Sequence, residues 1–307
     1  MYRYLLIAMV LLSWIAVAAG REIYVNNLIG DDRLNGARPI AVDGSGGPTR
    51  TIAKALRLAE SGDRIVIANT QVPYQEAVSL VGGRHSAGPA SPFVIDGNGA
   101  TLDGSGPIRD EAWSWHEDDV FWFLPARLGY QQLFFGVAGR MAIRHPVSTA
   151  SPRPAQLEPR EWCLWDGKIF FRTEPGRLPQ DYGLACCGLP CGITLYRVEG
   201  VVIRDLVIQG FQVDGLNASD GVRWARLEGL ISRANGRSGI STGGSSRVEI
   251  RNCTLVDNGV AQLRSEDYPH INLINTQLID STAPAVSRHG GEITVGTPLG
   301  SPASSRQ

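Results

Sequence analysis

Residues 201–221 read VVIRDLVIQGFQVDGLNASDG. The same design returns at 248–269, VEIRNCTLVDNGVAQLRSEDYP, and at 271–291, INLINTQLIDSTAPAVSRHGG, with a looser copy, WARLEGLISRANGRSGISTGG, at 224–244. Anchored on Asp205, Glu228, Asn252 and Asn275, the copies lie 23, 24 and 23 residues apart. Three apolar columns then align. The first holds Val201, Trp224, Val248 and Ile271; the second holds Ile208, Ile231, Leu255 and Leu278; the third holds Leu216, Ile240, Leu263 and Val286.

A period in the low twenties with three short apolar strands per unit is the pattern of a solenoid. The units carry neither the long helical pattern of helical repeats nor a leucine-rich spacing. Three strands joined by Gly, Asn and Asp turns make one coil of a parallel β-helix, so the chain reads as all-β. Each coil exposes backbone donors and acceptors that the next coil satisfies at a spacing of about 4.8 Å. Inward side chains therefore stack like on like, and Asn252 with Asn275 suggest an internal amide ladder at one turn.

A solenoid needs a covered end, because bare strand edges invite aggregation. The segment GPTRTIAKALRLAESGDRIVI, 47–67, supplies a cap. Ile52, Ala55, Leu56 and Ala59 fall on one helical face, Thr49 or Thr51 can cap the start, and Ser61-Gly62 stops the helix. The first coil is expected to begin at Arg64-Ile65-Val66-Ile67.

The succession REIYVNNLIGDDRLNG, GPTRTIAKALRLAESGDRIVI, VPYQEAVSL and SPFVIDGNGATLDG resembles the N-terminal part of secreted parallel β-helix proteins of the pectate-lyase-like superfamily. The resemblance covers roughly residues 22–104 and implies a right-handed parallel β-helix with an N-terminal capping helix. It is specific for the fold and weak for the reaction, since members include polysaccharide lyases, glycoside hydrolases, epimerases and proteins without known activity. The chain departs from the usual Pro-Gly-x-Tyr with Asn69-Thr70-Gln71-Val72-Pro73-Tyr74, which lengthens one turn.

Residues 105–192 break the rhythm and hold five of the seven Trp. Cys163 to Phe171 reads as a hairpin around Asp166-Gly167, and Gln131 to Ile143 as another strand pair. The stretch is similar to the small β insertion of some β-helix carbohydrate enzymes. The expected organisation is a signal peptide at 1–20, cap and first coils at 21–104, an aromatic-rich β subdomain at 105–192, further coils at 193–295 and a disordered tail at 296–307.

Arg3 followed by an apolar run from Leu5 to Val17 and by Ala16-Val17-Ala18 is a secretory signal pattern. The expected location is therefore secreted or periplasmic, with no membrane span after cleavage. A net charge of −1 gives no electrostatic case for nucleic acid. The five cysteines, Cys163, Cys186, Cys187, Cys191 and Cys253, match no zinc spacing and admit either one disulfide or buried thiols.

These features predict a monomeric, exported protein that acts on a polysaccharide or oligosaccharide as a lyase or a glycoside hydrolase. The alternatives are a non-catalytic polysaccharide-binding or surface β-helix protein and a truncated member of such a family. A lyase needs Ca²⁺ or Arg to neutralise a uronate and a base for the C5 proton; a hydrolase needs two carboxylates about 5–9.5 Å apart. With only Lys54 and Lys168 in the chain, a lyase base would be Arg or His. The resemblance directs attention to the strand face of the third column. Outward neighbours there make Arg264, Glu266 and His289 the catalytic candidates, with Asn217, Asp220, Arg237, Asp267 and Arg288 around a bound sugar. Trp113 and Trp115, expected to be exposed, are candidate sugar platforms. The acidic run His116-Glu117-Asp118-Asp119 beside them makes calcium the one cofactor considered.

Overall fold

The computed structural model describes residues 20–296 apart from 43, 45, 127, 128, 137–139 and 149. The expected signal peptide and tail lie outside these residues, save for their innermost members.

The chain is a parallel β-solenoid. Its first sheet stacks Glu22–Val25, Arg64–Ile67, residues 93–96, residues 201–204, Ala225–Glu228, Arg247–Arg251, residues 270–274 and residues 292–296, all parallel. The second runs through 100–103, 206–209, Ile231–Arg233, Thr254–Val256 and Gln277–Ile279. The third stacks Val78–Val81, Ile193–Tyr196, Asp214–Asp220, Ser238–Thr242, residues 261–265 and residues 286–289. Among the described strands Glu22–Val25 is the first rung, one strand earlier than expected, with Ile23 beside Ile65.

One continuous aliphatic core fills the space between the sheets. The third column stacks as read: Leu216, Ile240, Leu263 and Val286 lie side by side. The other two columns need a correction in one coil. Ala225, not Trp224, sits beside Val248, and Ser232, not Ile231, sits beside Leu255. Trp224 and Ile231 point outward, 60% and 41% exposed. The turn residue in the left-handed conformation is the true anchor: Asp205, Gly229, Asn252 and Asn275 all have positive φ. The amide ladder inside the solenoid is a different one. Asn235 Nδ2 donates to Asn258 Oδ1 at 3.0 Å, both fully buried, whereas the Asn275–Asn252 bond is exposed.

The cap helix spans Ile52–Leu58, and Ile52, Ala55, Leu56 and Ala59 are buried in the coil core. Thr51 is the N-cap and accepts from Lys54 N. Glu76 adds a second tie. Its carboxylate accepts from Ile52 N and Ala53 N at 2.9 Å, pinning the helix start to the stretch leading into Val78–Val81. The lengthened turn at 69–74 places Tyr74 in the core, its hydroxyl donating to the Ala68 carbonyl at 2.9 Å.

Between residues 105 and 187 the strands form two sheets of their own. One orders Ser114–Glu117, Val120–Phe123, Lys168–Arg172, Glu161–Trp165 and Ile143–Arg144. The other orders Ser105–Pro107, Leu184–Cys187 and Leu133–Phe135. The hairpin turns at Asp166 and Gly167, φ 48° and 70°, as an Asp-Gly turn requires. Met141 and Ala142 pair back onto Leu133–Phe135, while Ile143 and Arg144 leave to join Glu161–Trp165. This region abuts the coils at Gly236, where any Cβ would lie 2.9 Å from the Tyr130 carbonyl oxygen. All five cysteines are free thiols, and burial pushes Cys186 and Cys253 up to about 11.

Candidate functional site

On a strand, alternate residues face outward. In the third sheet the outward rows run Thr194, Asn217, Ser241, Arg264, Ser287, and then Glu266 beside His289. The solenoid thus brings Arg264, Glu266 and His289 onto neighbouring positions of adjacent coils. Arg264 Nη2 pairs with Glu266 Oε1. Arg264 is mostly buried, and among the described residues its Nε has no hydrogen-bond partner. The Ser287 hydroxyl and His289 Nε2 are 3.0 Å apart.

The Arg264 guanidinium, hydrogen-bonded to Glu266, holds that carboxyl below the usual carboxylate range. This outweighs the burial that opposes it, and Arg237 and His289 add attraction. Glu266 is therefore a carboxylate at neutral pH, suited to accepting a proton or facing positive charge rather than giving a proton.

Arg237 joins the group from the preceding coil. Its Nε and Nη2 bind Asp214 at 3.0 and 2.6 Å, and Asp214 is fully buried and also accepts from the Ser238 hydroxyl at 2.5 Å. Burial pushes the Arg237 guanidinium down, but Asp214 outweighs it and raises it overall. The pair is a fixed, charge-balanced one: Asp214 orients Arg237 from beneath and Tyr130 lies over it, 5.9 Å from ring centre to guanidinium. Asp214 escaped the sequence reading because it is an inward residue; its signal was the one-coil spacing to Arg237. Tyr130 comes from the inserted stretch, which no repeat pattern could align with the coils.

The remaining candidates have structural tasks. Asp220 accepts from Ser245 N at 3.1 Å and Asp267 from Gly244 N at 3.2 Å, so both brace the Gly243–Ser245 turn. Arg288 donates to the Gly291 carbonyl. Asn217 stays on the outward row two coils before Arg264. Trp113 is half-buried and not exposed, packed edge-on against Phe123 at 4.7 Å. Trp115 is 65% exposed, but its strand lies at the opposite edge of the five-stranded sheet from Ile143–Arg144, away from the coil junction. Among the described residues no three or more His, Cys, Asp or Glu converge as a metal site.

A groove of about 900 Å³ separates the inserted region from the coils. Tyr130, Met141, Arg144 and Leu164 line one wall, and Asp257, Val260 and Thr282 the other. Tyr130 belongs to both this groove and the Arg237 cluster.

No protein-family model matches the sequence, and no curated protein does. Among solved structures the chain is similar to one described as "Glycoside hydrolase", with a TM-score of 0.50 and 11% identity over 83% of this chain and 73% of that one. It is also similar to "The complex structure of XylC with xylose", with a TM-score of 0.41 and 10% identity over 90% of this chain and 70% of the other. At these identities the likeness concerns the fold alone.

Proposed function

We propose that the chain is an exported, right-handed β-helix enzyme that cleaves glycosidic bonds of an extracellular polysaccharide on the outer face of the third sheet. The observation that carries this reading is the convergence of Arg237, Arg264, Glu266 and His289 on consecutive coils. Glu266, kept ionised by Arg264, is the base or charge-stabilising carboxylate. His289 moves the proton, and the two guanidiniums stabilise an oxyanion or a sugar carboxylate. Elimination suits this set better than hydrolysis. Of the neighbouring carboxylates, Asp220 and Asp267 are engaged with backbone N–H groups and Asp214 with Arg237, and a hydrolase needs a second working carboxylate.

The test is a polysaccharide panel read for reducing ends and for the ultraviolet absorbance of an unsaturated uronate. Both signals together mean elimination; reducing ends alone mean hydrolysis. Glu266→Gln and His289→Ala should each lower turnover about 100-fold or more. Binding without either signal would establish a non-catalytic polysaccharide-binding protein instead.

A further inference from the structure

Arg144 is an exposed cation. It lies on the wall of the large groove, and among the described residues it forms no ion pair. Glu161, close to it in the sequence, pairs with His145 at 2.7 Å, while Asp257 on the facing wall accepts from the Ser281 hydroxyl at 2.7 Å and among the described residues joins no ion pair. The guanidinium is nonetheless held in place. It sits 5.3 Å from the centre of the Trp162 ring, and Trp162 is fully buried with its Nε1 donating to the Ala142 carbonyl at 3.2 Å. Arg144 is exposed, so its charge is open to something in solution that can pair with it.

The walls around it say what that something carries. Met141, Val147, Leu164 and Val260 give the groove apolar surface, which suits the nonpolar face of a sugar ring. A fixed guanidinium recognises a planar or tetrahedral oxyanion through paired N–H donors. We propose that the groove between the inserted sheets and the coils binds an anionic group on a saccharide, a carboxylate or a sulfate ester, with Arg144 as its counter-ion. The site is separate from the Glu266 cluster but continuous with it through Tyr130. One polymer could therefore occupy both, its charged unit at Arg144 and its cut bond at Glu266. This inference rests on the carbohydrate-active reading, yet its readout is binding and not cleavage.

Affinity electrophoresis at low ionic strength tests it, because salt screens an open ion pair. The probes are polygalacturonate, its full methyl ester, dextran sulfate and uncharged dextran. Retardation by polygalacturonate but not by its ester identifies a carboxylate; retardation by dextran sulfate but not by dextran identifies a sulfate. Arg144→Gln should weaken that binding about tenfold, and Arg144→Lys should retain part of it. An unchanged melting temperature shows that the variants fold. The proposal is overturned if the parent does not distinguish charged from uncharged polymers, or if Arg144→Gln keeps the parental preference. Cleavage without charge preference would refute the groove site and leave the enzyme reading intact. Arg144-dependent binding without cleavage would do the reverse.

Discussion

The coils and the 105–192 stretch bury apolar surface by opposite means. In the coils each backbone edge is satisfied by the next copy, so each inward position must resemble the one stacked on it, and the columns are mostly aliphatic. In the inserted sheets the antiparallel hairpin satisfies its own backbone. Position need not repeat there, and the core is aromatic instead: Trp113, Phe123, Phe135, Phe171 and Tyr182 meet edge to face or tilted. Repetition is thus the signature of shared backbone edges, and aromatic variety is the signature of a self-contained pair.

This contrast can be broken at four points. Leu255→Asp places a lone charge between Ser232 and Leu278 in a fully buried column. It should cost about 4–5 kcal/mol, read by chemical denaturation; a parental midpoint would mean that Leu255 is not stacked inward. Trp162→Ala removes the largest buried side chain of the inserted sheets and should cost about 3–4 kcal/mol. Hydrogen exchange should show the loss confined to that region, with coil amides still protected. Spread of the loss into the third-sheet strands would show that the two regions share one cooperative unit.

Gly236→Ala sets a methyl group against the Gln212 carbonyl oxygen of the preceding coil and 2.9 Å from the Tyr130 carbonyl at the seam. About 2 kcal/mol of overpacking should appear at the coil amides around Gln212 as well as at the seam; unchanged or increased stability would mean that the backbone does not press close at Gly236. The smallest effect is acid sensitivity in the coils. Burial opposes ionisation of Asp96, but the guanidiniums of Arg204 and Arg64 outweigh it and hold the carboxyl below its usual range. A lowered folded-state pKa stabilises above the ordinary carboxylate range and the benefit fades as pH falls through it. Asp96→Asn should therefore flatten the stability profile as pH falls below the ordinary carboxylate range. A profile parallel to the parent would remove Asp96 from the account of acid lability.

The same contrast explains what could be read from the sequence. Where like stacks on like, periodicity revealed the solenoid, the third column and the cap helix. It failed in one coil because that coil places small or polar residues inward, Ala225 and Ser232, while Trp224 and Ile231 face water. Hydrophobicity drew the alignment to the outward residues, and the left-handed turn at Gly229 would have corrected it. Arg264, Glu266 and His289 were legible because register follows from the column beneath them. Asp214 under Arg237, and Tyr130 and Arg144 from the insertion, were not. Asp214 faces inward at a one-coil spacing from Arg237, whereas the proximity of Tyr130 and Arg144 to the coils depends on contacts between unlike segments, which carry no period.

The two clamps at the mouth of the inserted stretch have a consequence for how the chain finds its shape. Arg204 reaches back 108 residues to Asp96, and Gln209 reaches back 106 to Asp103. Val78–Val81 likewise waits for Ile193–Tyr196 before its edge is paired. Joining such distant points costs chain entropy of about 4 kcal/mol, but doubling the intervening length would add only about 0.6 kcal/mol. The seam between the N-terminal coils and residues 193–209 should therefore form slowly, as non-local pairings do, while the first-sheet strands before residue 97 pair among themselves. Once the joint is made, the length of what it holds hardly matters. The joint is a socket: a larger, smaller or different subdomain could occupy it while the coils on either side kept their register.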